Sequence, residues 1–242
     1  MNKINSISKA SASNEEVNTS IILIKKGLIE IQNMNSQKTQ SHKHIPLLLL
    51  SNGFERLLKC ILIFHFHKEH NRYPSQYKFF KKYNNGHGLD LMLNEVIKIA
   101  KGSETMMSIP LSRNEVEYLE TNENVKELFR IFTDYASNGR YYYIDVITTS
   151  DYPKKNNPVA EFEKFRDNLY LQLKFPISEF LKNIVEFNNQ NIYIIAKITR
   201  AICRCFTHAD FGHVASMHYG EISDFTNCLN EKDISEMKYL KL

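Results

Sequence analysis

Apolar residues recur at steps of three and four positions along most of this chain, a spacing that places them on one face of an α-helix. The first such stripe, in a helix predicted over residues 14–35, consists of Ile21, Ile24, Leu28 and Ile31. The pattern returns in the segments 41–70, 90–100, 115–137, 160–189 and 191–208. Amphipathic helices bury their apolar faces against one another. The sequence therefore predicts an all-α fold, an up-and-down helical bundle with additional C-terminal helices.

The most apolar segment, residues 45–66, has the length of a membrane-spanning helix. Four polar side chains nevertheless lie at its centre, Asn52, Glu55, Arg56 and Lys59. Charged side chains are costly in the middle of a bilayer. The segment therefore predicts a helix buried in a protein core, and we expect no membrane association and a cytoplasmic location.

The composition is that of a globular protein, because 43% of the 242 residues are hydrophobic, enough for a continuous core. The 31 basic residues exceed the 27 acidic ones only slightly, so the net charge of +4 permits contact with nucleic acid without arguing for it. Residues 1–13 are polar and lack the apolar centre of a signal peptide. We predict a disordered lead-in over 1–13 and a single helical domain over 14–242.

Proline and glycine divide the helical pattern into blocks. We predict turns or loops at 73–74, 84–88, 101–112 and 148–158. Pro176 interrupts the pattern of 160–189 and predicts a kink or a break into two helices. The segment 140–149 is rich in aromatic and β-branched residues, so it fits either a short strand or a helix followed by a loop.

Cysteines and histidines raise the question of a metal site. The four cysteines include no pair with the spacing of a zinc or redox motif, which favours buried, reduced thiols. His65, His67 and His70 lie close in sequence, but His65 and His67 would project to opposite sides of a helix. We predict no metal and no cofactor, and the sequence also lacks a phosphate-binding loop, a dinucleotide fingerprint and a nucleophile elbow.

The charges in the apolar segment leave two interpretations open. Glu55 and Lys59 are four residues apart in the favourable order, as in an ion pair at a solvated helix edge. Alternatively, the stripe formed by Asn52, Glu55 and Lys59 points into the bundle. Glu55 would then need a partner such as Arg140 or His87, because an unpaired buried carboxylate is very costly.

A histidine flanked by glycines, His87, precedes a helix predicted to begin near Leu89 or Asp90. The positive end of the helix dipole disfavours an imidazolium there and favours an anion. A neutral histidine at such a junction can bind, cap or catalyse. Alternatively, it fixes the turn by packing and hydrogen bonding.

Basic and aromatic residues are interleaved in two segments, 72–83 and the run from Arg140 to Tyr143 that includes Tyr142. Proteins bind single-stranded nucleic acid with this combination, using cations for the phosphates and rings for the bases. The same composition also fits a connector clamped to the bundle by its rings, or a protein interface.

Three of these segments together resemble the HEPN (higher eukaryotes and prokaryotes nucleotide-binding) superfamily, in an uncharacterised bacterial branch. They are FERLLK with Glu55 and Lys59, KKYNNGHGLDLML around His87, and GRYYYID at 139–145. The resemblance covers residues 40–210. It implies an α-helical up-and-down bundle, frequent homodimerisation and, in active members, metal-independent RNA cleavage at a composite site in the dimer interface.

Active members of that superfamily carry an arginine, a polar residue and a later histidine that share one helix face. The nearest segment here is RAICRCFTH, where three residues separate Arg204 from His208 and Cys205 replaces the polar residue. The pair still stands one helical turn apart, as a phosphate-binding cation beside a general acid or base requires. At a helix C-terminus, the same two side chains would instead stabilise exposed carbonyls.

Two functions remain open from the sequence. The first is a non-catalytic, HEPN-like helical protein, a homodimer that binds a nucleotide, RNA or a protein partner. Its candidate binding residues are Glu55, Lys59, His87, Arg140 and Tyr142. The alternative is a metal-independent endoribonuclease of a bacterial defence or toxin system, with Arg204 and His208 as catalytic residues. The altered motif favours the first function.

Overall fold

A computed structural model of the protein describes residues 3–34, 40–148, 156–172, 183–208, 211–228 and 234. The helices are α1 (Lys3–Gln32), α2 (Gln40–His70), α3 (Gln76–Phe80), α4 (Leu89–Lys101), α5 (Glu104–Ser108), α6 (Pro110–Thr121), α7 (Glu123–Ser137), α8 (Tyr142–Thr148), α9 (Pro158–Gln172), α10 (Ile184–Thr207), α11 (His213–Ser216) and α12 (Tyr219–Thr226). Short 3₁₀ segments cover Lys81–Gly86 and Gly139–Tyr141. These residues contain no strand, so the predicted all-α helical bundle is confirmed.

The two longest helices, α1 and α2, pack against each other along their length. A Cβ atom on Gly53 would lie 2.7 Å from Ile24 Cγ1, and one on Gly27 would lie 2.7 Å from Leu50 Cγ. The contacts pair residue 24 of α1 with residue 53 of α2, and residue 27 of α1 with residue 50 of α2, so the two helices are antiparallel. The glycines are needed because side chains at these positions would push the helices apart.

Helix α2 is the centre of the core, as the apolar segment 45–66 predicts. It packs against α1, α4, α7, α9 and α11. Phe54 is fully buried with its ring centroid 5.3 Å from that of Phe129 and 5.5 Å from that of Phe132. Aromatic pairs at this separation add to the stability from buried area. None of the described helices is both long and apolar enough to cross a bilayer.

The segment predicted as a disordered lead-in is helical in the structure from Lys3 onward. Its sequence contains no proline or glycine that would end a helix, and the packed part of α1 begins at Val17, so the helix extends cooperatively from there. Glu16 also bonds Arg56 of α2 at 2.6 Å, which fixes the approach of this part of α1.

The predicted loop at 101–112 is mostly helix, so that prediction is wrong. Ser103 caps α5 by accepting a hydrogen bond from the Met106 amide at 3.0 Å, and Pro110 opens α6. Conversely, the single pattern predicted over 115–137 is broken at Asn122. The Asn122 side chain caps α7, so a residue that fits a continuous helical pattern instead separates two helices.

The breaker at 84–88 is confirmed by left-handed backbone at three consecutive residues, Asn84, Asn85 and Gly86. The segment 139–148 is a 3₁₀ turn followed by α8, which decides the alternative in favour of helix. Most of the predicted loop 148–158 and the predicted kink at Pro176 lie outside the described residues.

The four cysteines, Cys60, Cys203, Cys205 and Cys228, are free and buried, as predicted. Burial disfavours the thiolate and raises the pKa of Cys60 to about 12. Burial also raises the pKa of Cys203 and that of Cys205. Such thiols are packing groups and not nucleophiles.

Candidate functional site

Glu55 is the acceptor at the centre of a cluster of basic side chains, which we call the Glu55 cluster: Glu55, Lys59, His87 and Arg140. Lys59 Nζ lies 2.6 Å from Oε1 of Glu55, while Arg140 Nη2 and His87 Nδ1 lie 3.0 Å and 3.2 Å from Oε2. Glu55 is only 8% exposed. The structure thus combines both sequence interpretations, because the ion pair along the helix exists and the carboxylate also faces into the bundle.

The turn before α4 brings His87 and Lys59 together. Gly86 has φ of 92°, a backbone conformation that favours glycine, and a Cβ atom there would lie 2.9 Å from Lys59 Cε. Asn84 Nδ2 donates to Ser137 Oγ at 2.8 Å and ties the turn to α7. The turn at 84–88 therefore places His87 next to Glu55, on the side where Lys59 also lies.

The electrostatics of the cluster favour an ionised carboxylate. Burial alone would raise the pKa of Glu55, but hydrogen bonds and charge from Lys59 and His87 outweigh it, so the pKa lies below its ordinary value. A carboxylate held in this way is a poor proton acceptor for a reaction, because its oxygens already accept from three side chains. The cluster is suited to joining α2, the turn before α4 and the turn before α8.

Other predicted residues of this stretch lie outside the cluster. Asn52 bonds the backbone of its own helix, donating to Leu48 O at 2.9 Å. Tyr142 is partly buried, and its ring packs edge-on against that of Tyr143 at 5.4 Å. The structure therefore brings together four of the five predicted binding residues. Tyr142 is close to Arg140 in sequence but is not a partner of Glu55.

The predicted catalytic pair, Arg204 and His208, lies at the end of α10 and faces α6. Arg204 Nε donates to Glu115 Oε2 at 3.1 Å, and His208 Nε2 lies 3.0 Å from Ser112 Oγ. Arg200 Nε lies 2.6 Å from the other oxygen of Glu115. Both members of the pair therefore contact α6, and their partners hold α6 and α10 together.

Sequence reasoning missed Glu115 and Ser112, which organise this contact. Both are buried, and Glu115 is 3% exposed. They lie three residues apart on the face of α6 that also carries Val116 and Leu119. A carboxylate on an apolar helix face is the signal that would have found them, since it requires a buried cation as its partner.

A cleft of about 450 Å³ opens where α2 ends and α3 begins, and we call it the basic cleft. Its lining residues are Phe66, Arg72, Pro74, Ser75, Lys78 and Phe79. The Phe66 and Phe79 rings meet edge-on at 5.2 Å, and the Arg72 guanidinium lies 6.0 Å from the Phe66 ring centre. Arg72 and Lys78 are exposed, and the rings of Phe66 and Phe79 are partly exposed.

The aromatic residues of 72–83 divide between two roles. Phe80 and Tyr83 are buried and pack in the core, as a connector clamped by its rings would be. Phe79 lines the basic cleft with Lys78. The nucleic-acid and the connector interpretations of this segment therefore each have residues that fit them, and the protein interface stays a prediction.

A second cleft, of about 410 Å³, lies between the ends of α2 and α4. It is lined by His65, Lys68, Glu69, Glu95, Lys98, Ile99, Gly102 and Ser103. Charges of both signs surround it, so its lining does not select one kind of ligand. Within the part of the chain that the structure describes, no three His, Cys, Asp or Glu side chains are grouped to hold a metal ion.

No protein-family model, no curated protein and no solved structure matches the chain. The HEPN resemblance, homodimerisation and cytoplasmic location therefore stay predictions.

Proposed function

We propose that this chain is a non-catalytic, HEPN-like helical protein that binds a nucleotide or single-stranded RNA in the basic cleft. One observation carries the proposal: the cleft combines two accessible rings with the two exposed cations Arg72 and Lys78. Its volume of about 450 Å³ falls within the range of small-molecule sites, which is about 300–1,000 Å³.

The lining supplies both kinds of contact that a nucleotide needs. The rings of Phe66 and Phe79 pack edge-on against each other, so their relative position is set before a base stacks on them. Stacking of one base on an aromatic side chain contributes about 1–3 kcal/mol. Arg72 and Lys78 then contact the phosphates, and the arginine plane can also stack on a base.

The Glu55 cluster supports this role from a distance. Residues 81–86 continue directly from α3, which forms one wall of the cleft. Gly86, at the end of this segment, lies against the Lys59 side chain. Glu55 binds Lys59, which contacts Gly86, and His87, which follows it. Through residues 81–86 the cluster therefore holds α3 in place without contacting the ligand. Glu55, Lys59 and His87 are positioning residues in this proposal.

Replacing both Arg72 and Lys78 by Ala is expected to weaken binding of a single-stranded RNA by about tenfold at low salt, because two phosphate contacts are lost. The slope of log affinity against log salt concentration should become shallower by about 1.4, or about 0.7 per contact. Fluorescence anisotropy with a labelled oligonucleotide measures both quantities.

The matched control replaces two exposed lysines elsewhere, Lys26 of α1 and Lys164 of α9, so that the net charge changes equally. This variant should bind RNA like the unmodified protein. Equal losses in the two double variants would show that binding follows overall charge and not the basic cleft, and the proposal would fail.

The ribonuclease alternative keeps one supporting observation. Among the described residues, Arg204 Nη2 makes no hydrogen bond, and His208 beside it is only partly buried. Against it, Arg204 already pairs with Glu115, so a phosphate would have to compete with a buried carboxylate.

We expect purified protein to leave bulk RNA intact in the presence of a chelator, at any ratio of protein to RNA. The comparison is with the Arg204→Ala/His208→Ala double variant, whose helicity is checked by circular dichroism. Cleavage by the unmodified protein that disappears in a folded variant would replace the binding proposal by the ribonuclease.

A further inference from the structure

Helix α9 buries an arginine whose direct contacts with the described residues are all neutral. Arg166 is 7% exposed. Its Nη2 donates to Asn188 Oδ1 at 2.8 Å, its Nη1 lies 3.2 Å from Met34 Sδ, and its guanidinium lies 4.9 Å from the Phe187 ring centre. An amide oxygen, a thioether and an aromatic ring accept from a cation but do not neutralise it.

No carboxylate of a described residue lies within ion-pair distance of Arg166. Glu163, one turn earlier, pairs with Lys43, and Asp167 points to the exposed side of α9. Arg166 Nε also makes no hydrogen bond with a described residue. Burial lowers the pKa of Arg166 to about 10, so the group is still charged at neutral pH. The carboxylates of Asp167 and Glu163 act on Arg166 only through space, and a buried cation without a carboxylate in direct contact is unfavourable.

The surroundings of Arg166 are built and not accidental. Asn188 is 2% exposed, and its amide group donates to Met34 O at 2.8 Å and to Gln32 O at 3.2 Å. These bonds hold the Asn188 oxygen towards the arginine and join the end of α1 to α10. The guanidinium is therefore fixed, with N–H groups left over.

We propose that Arg166 is the centre of an anion-binding site, which takes one small oxyanion, a phosphate group or a carboxylate, where α1 ends beside α9 and α10. The planar guanidinium presents paired N–H donors that match two oxygens of such a group. The bound anion supplies the direct ion pair that Arg166 does not make with a described residue. This site is independent of the basic cleft.

Two substitutions of Met34 test the proposal, because its Sδ is 3.2 Å from Arg166 Nη1. Met34→Glu places a carboxylate beside the arginine, and Met34→Gln has the same shape without the charge. We expect Met34→Glu to have the higher thermal midpoint in phosphate-free buffer. Its affinity for inorganic phosphate, measured by titration calorimetry, should be at least about tenfold lower than that of Met34→Gln, since a charge-assisted bond is lost.

The unmodified protein should bind phosphate, with chloride at equal ionic strength as the control. General salt stabilisation acts on both variants alike, so the difference between them is the result that counts. Acetate titrated in parallel distinguishes a site for carboxylates, which binds both anions, from a site for phosphate groups.

Three results would overturn the anion site. One is a Met34→Glu variant less stable than Met34→Gln, and another is equal or absent phosphate binding in the two variants and the unmodified protein. The third concerns Glu179, the one acidic residue between Asp167 and Glu186, which lies outside the described residues. If Glu179→Gln lowers the thermal midpoint and creates phosphate binding that the unmodified protein lacks, the carboxylate of Glu179 is the anion that pairs with Arg166.

Discussion

Replacing Glu115 with Gln is expected to lower the free energy of unfolding by about 3–5 kcal/mol, because it removes the carboxylate from a buried ion-pair group. The Glu115 and Arg200 side chains are each 3% exposed, and Arg204 is 11% exposed. Water therefore cannot take over the role of the lost charge. Glutamine keeps the shape of the side chain, so the loss measures charge and not packing.

Urea unfolding followed by far-ultraviolet circular dichroism at neutral pH measures this loss. The control is Glu117→Gln, on the exposed side of the same helix, for which a change within about 0.5 kcal/mol is expected. Similar values for the two variants would mean that the contact between α6 and α10 does not depend on Glu115. The ribonuclease alternative would then regain an arginine that is free to bind phosphate.

Glu55→Gln is expected to lower the free energy of unfolding by about 1–3 kcal/mol at neutral pH, because Lys59 and Arg140 lose the charge that they share. The effect is smaller than at Glu115, since Lys59 is 26% and Arg140 28% exposed and water compensates them in part. Chemical unfolding of the variant and the unmodified protein measures the difference.

The pH dependence of that difference distinguishes a carboxylate from a packing effect. The folded-state pKa of Glu55 lies below its ordinary value of 4.5, so its stabilisation is fully present above that value. It is lost as pH falls through the folded-state pKa, because protonation then removes the charge. The gap between Glu55→Gln and the unmodified protein should therefore narrow under acid conditions. Glu117→Gln should not differ from the unmodified protein in unfolding free energy at any pH. If the difference for Glu55→Gln stays constant with pH, glutamine disturbs packing at residue 55.

The sites differ in how much of them the sequence reveals. The ion pair of Glu55 and Lys59 could be predicted because it depends on residues one turn apart in one helix. Arg140 and His87 could be named as partners because a buried carboxylate demands a cation, although many cations were available. Glu115 was missed, since the contact with Arg204 joins residues 89 positions apart.

The sequence by itself determined the helical class and the central helix, predicted over 41–70 and found over Gln40–His70. Periodicity and breaker residues are local properties, so a single chain displays them. Only the tertiary structure decided that 3–13 continues α1, that Arg204 faces a carboxylate, and that Arg166 is buried with no ion pair to a described residue. These outcomes depend on which helix faces pack together, and such contacts join positions far apart in the chain that no local pattern connects.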